Sequence, residues 1–337
     1  MSTKITLTKN NSLGFPIKHL LRLTDKNGII EHCVGTVPDL SEGYSTDDNA
    51  RALQLALRLG EKKLVPIYLK FLLSAQTPKG FHQDLNDDMT WKDDDGVFEG
   101  YGRAMAALGE ASVTAPEEDQ RQIAASVFDG QEPLIKEVKY PRVMAQIIIG
   151  LSYRIKSDMQ HTVDKLEKFY LDNSDASWKW YEDSLTYDNG RLPLAMFTAY
   201  QILNEKKYLN IASESLDFLI EKTYNSTKKM FSFPGFNGWY KKNGEKSLFG
   251  QQPVEAGSMV EACVKAFEIT QDKKYLDKAY EAFSWYSGNN VSGLSLIDDA
   301  SGGIYDGIDT NGINPNEGAE SIVSYLTAKL LLDRLHI

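Results

Sequence analysis

Three times in this sequence a carboxylate stands three or four residues ahead of an arginine at the head of an apolar run. Asp47 precedes Arg51 in YSTDDNARAL (44–53), Glu99 precedes Arg103 in FEGYGRAMAALGEA (98–111), and Asp188 precedes Arg191 in YDNGRLPLAMFTAYQIL (187–203). Arg142, Glu255, and Glu317 with Glu320 open three more such runs, and Asp48 directly follows Asp47. Crowded carboxyls separate in protonation state: neighbouring acids raise one pKa, while helix N-termini and arginines hold another low. That division is what general acid–base chemistry needs. For any one pair, helix ion pairing and the preference of acids for the positive helix end give a sufficient account. The set is harder to explain so. In 44–59, Ala50, Ala52, Leu53, Leu55, Ala56, Leu57 and Leu59 cover nearly every face, which marks a buried helix with no outer water for its charges.

The elements that must position these groups alternate between two kinds. Broadly apolar segments at 44–59, 98–111, 139–153, 187–203, 253–269 and 314–332 read as inner helices. Between them, 15–24, 62–75, 117–128, 162–171, 206–222 and 273–283 read as half-exposed outer helices; in 162–171, Val163, Leu166, Phe169 and Tyr170 share one face. The repeat scale suits an array of helical hairpins. Joints from inner to outer helix are short, as in GEKK (60–63) and NEKK (204–207), whereas those from outer to inner are long: 76–97, 172–186, 223–252 and 288–313, with 129–138 the exception. Long loops in a compact helical protein are usually functional, and here they must gather around the N-termini of the inner helices. A closed ring of six inner and six outer helices, an all-α (α/α)6 toroid, satisfies the pattern; an open helical solenoid is the structural alternative. The expected organisation is one toroid over 1–337, with 1–13 a flexible N-terminal segment.

The long loops carry aromatics. His82, Trp91 and Tyr101 lie in 80–103, Trp178, Trp180, Tyr181 and Tyr187 in 178–191, and Phe236, Trp239 and Tyr240 in 233–244. Each alone could be the small core of its loop. Aromatics mixed with carboxylates, amides and arginines over a cavity are what sugar recognition requires, since sugar C–H faces pack on rings and hydroxyls bond to planar polar groups.

Composition closes other routes. The chain of 337 residues is 42% hydrophobic and 25% charged with a net charge of −10, which argues against nucleic acid or an anionic membrane as partner. Cys33 and Cys263 make no disulfide framework and no zinc spacing, so no metal and no cofactor are expected. The Asp- and Asn-rich loop 297–318 lacks the EF-hand spacing and reads as a solvated, turn-rich connection. MSTKITLTKNNSLGF has no continuous apolar segment, and no stretch is long enough to span a bilayer; a cytoplasmic location is the expectation.

These features together resemble the six-hairpin glycosidase superfamily, over essentially residues 30–335. GYSTDDNARAL, WKWYEDSLTYDNGRLPLA and GQQPVEAG also resemble a bacterial group of glycosidase-like proteins, some joined to glycosyltransferases. The resemblance implies cleavage of a glycosidic bond in an oligosaccharide or polysaccharide of mannan or other bacterial type, with a glycosyltransferase as candidate partner. Adjacent aspartates are similar in type to the consecutive pair of the superfamily's endo-α-mannanases. Such cleavage needs one protonated and one ionised carboxyl. Asp47, Asp48, Glu99, Asp188 and Glu255 are the expected catalytic group, with Asp48 favoured over Asp47. Tyr44, Arg51, His82, Tyr101, Arg103, Arg142, Trp180, Tyr187, Arg191, Trp239, Gln252 and Glu317 are the expected sugar-binding group. Sugar epimerases share the toroid and transfer protons through histidine, but His19, His32, His82, His161 and His336 all lie outside the inner-helix starts. A non-catalytic glycan-binding or scaffold role is the main alternative.

Overall fold

The computed structural model describes residues 15–92, 95–154 and 158–335; the expected flexible segment 1–13 lies outside them. In chain order the helices are α1 (Lys18–Leu23), α2 (Thr46–Leu59), α3 (Val65–Ala75), α4 (Glu99–Thr114), α5 (Glu118–Gln131) and α6 (Pro141–Arg154). They continue with α7 (Asp158–Asn173), α8 (Arg191–Leu203), α9 (Lys206–Thr223), α10 (Pro253–Thr270), α11 (Lys273–Phe283) and α12 (Ala319–Leu335). The even-numbered helices form the inner layer. Each packs on its even-numbered neighbours, and α12 packs on α2, so the ring closes. Of the odd-numbered helices, α3 to α11 each pack on the inner helix before them, and α1 packs on α12. This is the alternating toroid, not the open solenoid.

Burial follows the apolar patterns. In α4 every residue from Gly100 to Ala111 is buried, and in α6 every residue from Pro141 to Leu151. By contrast α11 buries only Tyr275, Ala279 and Ala282, the one-sided stripe of an outer helix. Local signals set the ends. The Ser45 hydroxyl caps α2 by accepting from the Asp48 amide, and Gly60 stops it with φ 74°. Asp272 caps α11, Pro253 opens α10, and Asn204 and Gln271 end α8 and α10 in left-handed conformation.

The long loops collect at the N-terminal ends of the inner helices and are pinned by two- and three-residue strands. Tyr44–Ser45 pairs with Asp84–Leu85, and Ser184–Leu185 pairs with Tyr240–Lys241, which joins two aromatic loops edge to edge. Gly307–Asp309 folds back on Gly312–Asn314. Such short pairs have no period to betray them in the sequence. The short connection 129–138, exceptional among the loops, is largely a 3₁₀ turn over Glu132–Glu137. Among the described residues no helix is long and apolar enough to cross a membrane.

Ring closure requires the inner helices to approach closely, and glycine permits it between α4 and α6. A Cβ on Gly109 would lie 2.4 Å from the Gly150 carbonyl oxygen, and one on Gly150 2.4 Å from that of Met105. Gly109→Ala or Gly150→Ala should therefore cost about 1–3 kcal/mol through forced separation of the two helices. Gly130, exposed on α5, is the control: its Cβ would meet only the Gln76 amide at 3.7 Å. Gly130→Ala should be neutral or stabilise by up to about 1 kcal/mol. Urea denaturation of the three variants checks this; equal losses would refute the close-approach account.

Candidate active site

The site is assembled from the first turns of the inner helices. At α2 the Ser45 hydroxyl donates to Asp48 Oδ2 at 3.0 Å while accepting from the Asp48 amide at 3.1 Å. The Thr46 hydroxyl donates to the His82 carbonyl at 2.6 Å, tying the helix start to the loop beside it. Asp47 makes ion pairs with Arg51 at 3.0 Å and with Arg103 on the neighbouring α4. Asp48 is only 5% exposed. Burial pushes its carboxyl well above the ordinary carboxylate range; Arg51 opposes this, and Asp47, Glu31 and Glu320 reinforce it.

Arg103 is the meeting point. Besides Asp47, it holds Glu99 and Asp188, each at 3.0 Å. Asp188 has φ 46°, uncommon for a non-glycine residue. It begins a tight turn through Asn189 to Gly190, where a Cβ would lie 2.2 Å from the Ser258 carbonyl of α10. The turn delivers the Asp188 carboxylate between Arg103 and Arg191, which is 3.2 Å away. Burial alone would raise the Asp188 pKa, but Arg191, Arg103 and Arg51 outweigh it and hold the value at about 2. With its amide oriented to suit its neighbours, Gln146 of α6 accepts from Arg103 Nη1 at 3.0 Å and Arg191 Nε at 3.2 Å.

The same turn reaches the other way. Asn189 donates from its side chain to Glu255 Oε2 at 2.8 Å and from its backbone at 3.4 Å. Burial lifts the Glu255 carboxyl to about 8 against the opposing pull of Asn189. Arg142 donates to the Tyr187 carbonyl and to Glu182, both at 2.5 Å, and to Asn189 Oδ1 at 3.2 Å. Its guanidinium lies 4.8 Å above the Tyr187 ring, whose hydroxyl donates to Glu99 at 2.5 Å. Tyr187 is thus held by its face, its backbone and its hydroxyl.

Above this cluster opens a cavity of about 420 Å³ walled by Tyr187, Phe236, Trp239, Gln252, Val254 and Glu320. That volume lies within the range of small-ligand sites. Glu320, 33% exposed, is bound to Arg51 at 2.5 Å. Trp239 sits 6.2 Å from the Tyr187 ring, centroid to centroid, and holds a left-handed φ of 57°. A tryptophan in that region carries a backbone cost, a pattern that concentrates at ligand sites.

No protein-family model matches the sequence, and no curated sequence matches it at a significant level. Solved structures do match. The cellobiose 2-epimerase of Bacillus thermoamylovorans is similar with a TM-score of 0.72 at 13% identity, over 97% of this chain and 98% of that one. A D-mannose isomerase matches over 100% of both chains at 0.71 and 13% identity. A glycoside-hydrolase family 76 α-mannanase of Bacteroides thetaiotaomicron gives 0.68 at 12% identity, over 97% of this chain and 96% of that one. These likenesses show the fold, an (α/α)6 toroid of six helical hairpins.

Of the expected residues, Asp47, Glu99 and Asp188 meet at Arg103, with Arg51 on Asp47 and Arg191 on Asp188; Glu255 and Arg142 join through Asn189, Asp48 is buried on Ser45 beside Arg51 and Asp47, and Tyr187, Trp239 and Gln252 stand at the cavity. Five other expected site residues are placed differently. The Tyr44 hydroxyl donates to Asp25 at 2.8 Å and that of Tyr101 to the Gln131 carbonyl at 2.9 Å, both toward the outer layer. Trp180 is fully buried against Tyr181 and Phe218. Glu317 is fully buried with His19 and Ser301 in the seam between α1 and α12. His82 stacks on Trp91 at 4.8 Å. Helix geometry explains Tyr101: two residues beyond Glu99 it points about 200° away from it. Gln146, Asn189 and Glu261 were not expected. Their signal was a polar residue inside a buried helix or turn, the argument that singled out the arginines.

Glu255 yields a stability prediction. In the folded protein its carboxyl keeps a proton up to about 8, whereas its ordinary value is 4.5. Between those values the native state binds more protons than the unfolded chain, so stability must fall as pH rises. Urea midpoints should decline across that window, and Glu255→Gln should remove part of the decline and be more stable than wild type at pH 8. Parallel profiles for the two proteins would contradict the assignment.

Proposed function

We propose that this protein is a carbohydrate-active enzyme that hydrolyses a glycosidic bond. The observation carrying the reading is the division of labour at the head of α2, under an aromatic-walled cavity. Asp48 is buried with its carboxyl pushed up, while its neighbour Asp47 is ion-paired to two arginines. In this reading Asp48 gives its proton to the leaving oxygen, and Asp47 is the ionised partner that stabilises or activates the attack on the sugar carbon. Glu320 and Gln252 take sugar hydroxyls, and Tyr187, Phe236 and Trp239 take the C–H faces. Glu99 and Asp188 fix Arg103, and through it Asp47.

A second reading has its own support, since two of these structural relatives are a sugar epimerase and a sugar isomerase. Against it, no histidine is part of the described carboxylate–arginine cluster: His19 is bonded in the α1–α12 seam, and His82 is stacked on Trp91. In this reading carboxyls move the protons.

The readings part on product analysis against mannans, glucans and aryl glycosides. Hydrolysis releases new reducing ends; epimerisation changes the sugar without releasing any; a glycan-binding protein does neither yet retains ligand. Asp48→Asn should lower kcat by about 10²–10⁴-fold with little change in KM or Tm. Trp239→Ala should chiefly raise KM. Unchanged turnover in Asp48→Asn would remove it from the chemistry.

A further inference from the structure

Folding hides nearly every aromatic ring of this protein. Among the described residues only three phenylalanine, tyrosine or tryptophan side chains lie open to solvent: Phe98 at 50%, Tyr140 at 53% and Phe236 at 47%. All three stand at the end of the ring where the long loops gather. Phe236 is in the cavity wall, Phe98 is the residue that precedes α4, and Tyr140 is the one that precedes α6. On the outer helices and at the far end of α4, by contrast, the exposed apolar side chains are aliphatic: Ile123, Leu171 and Val113.

Tyr187 of the cavity wall ties the other two rings to the cavity. Its hydroxyl donates to Glu99, the residue after Phe98, and its ring lies under Arg142, two residues after Tyr140. The heads of α4 and α6 therefore border the cavity on its Tyr187 side, and Phe98 and Tyr140 carry the aromatic wall outward. Neighbouring helices such as α4 and α6 have axes about 8–10 Å apart, a step wider than one pyranose ring. Gly96 makes room for the Phe98 ring, since a Cβ there would lie 2.5 Å from it. Polar groups alternate with the rings. Glu99 is 24% exposed and Lys139 is exposed beside Tyr140.

We propose that the sugar cavity continues over the heads of α4 and α6 as a track for a polymeric glycan, whose further units stack on Phe98 and Tyr140. Rings spaced by charged groups suit a chain that alternates C–H faces with hydroxyls. A second copy of this chain would call for a continuous apolar patch instead. The inference rests on the carbohydrate reading of the cavity, but not on cleavage, because binding breaks no bond.

Affinity electrophoresis through gels containing yeast α-mannan or hydroxyethyl cellulose tests it, with calorimetry on mannobiose and cellobiose for comparison. Wild type should be retarded by one of the polymers. Phe98→Ala with Tyr140→Ala should weaken that binding about 3–10-fold per ring, as for aromatic contacts generally, and weaken disaccharide binding less. Trp239→Ala should weaken both alike, and Tyr140→Trp, which keeps a ring, should bind as wild type does. No retardation by either polymer, equal polymer binding by wild type and the double variant, or a dimer that the double variant dissolves would overturn the proposal. Release of reducing ends with polymer affinity unchanged in the double variant leaves hydrolysis standing without the track. Ring-dependent polymer binding with no reducing ends released leaves the track standing without hydrolysis.

Discussion

A charge buried in a protein interior must be met by opposite charge and hydrogen bonds, and here Arg103 imposes that rule on the whole ring. Its side chain is 3% exposed, yet it gathers Asp47 from α2, Glu99 from its own helix and Asp188 from the turn before α8. The pairing continues through Arg191 to Glu261 on α10, and Arg58 joins Glu110 on α4. Removing one member of such a set leaves its partners unpaired in a poor solvent for charge, at a cost of about 3–5 kcal/mol. Apolar packing alone would tolerate a range of helix rotations. The ion pairs do not, because each specifies which face of each inner helix meets the axis.

The same rule prepares the chemistry. All inner helices present their N-terminal ends to one mouth, so the partial positive charges of the backbone there favour carboxylates. Arginine and burial then sort those carboxylates. The turn at Asp188 and Asn189 shows the sorting at shortest range: Asp188 lies among three guanidiniums and stays near 2, while Glu255, bonded to the next residue, is lifted to about 8. Two acids linked through Asn189 are therefore held in opposite protonation states at neutral pH.

Much of this was legible in the residues. All-round apolar helices alternating with one-sided ones fixed the layers, and asymmetric connection lengths fixed the end at which the site lies. Asp47, Arg51, Gln54 and Arg58 recur at helical spacing on α2, and Val254, Ser258 and Glu261 on α10, so the axial stripe was present in the sequence. What it lacked was the direction of each stripe's neighbours. Tyr101 shares the first turn of α4 with Glu99, and Glu317 stands just ahead of α12 as Glu320 stands in its first turn, yet both turn outward, a distinction of direction that residue type does not encode. Trp180 failed for another reason: a tryptophan fills a loop core as readily as it lines a sugar site. Gln146 was hidden because one amide in an apolar run acquires meaning only beside two arginines from other helices.

Closure of the ring has a consequence for time as well as for shape. Arg51 of the first inner helix takes Glu320 of the last, 269 residues further along the chain. A ribosome has finished α2 long before α12 exists, so the nascent protein carries the Arg51 guanidinium without that acceptor through most of its synthesis. Hairpins formed early can stack on one another, but the gap between first and last stays open. Contacts of such large sequence separation form late and slowly. The cavity takes its Glu320 wall from that final helix, so the chain acquires its binding site in the same event that completes its fold.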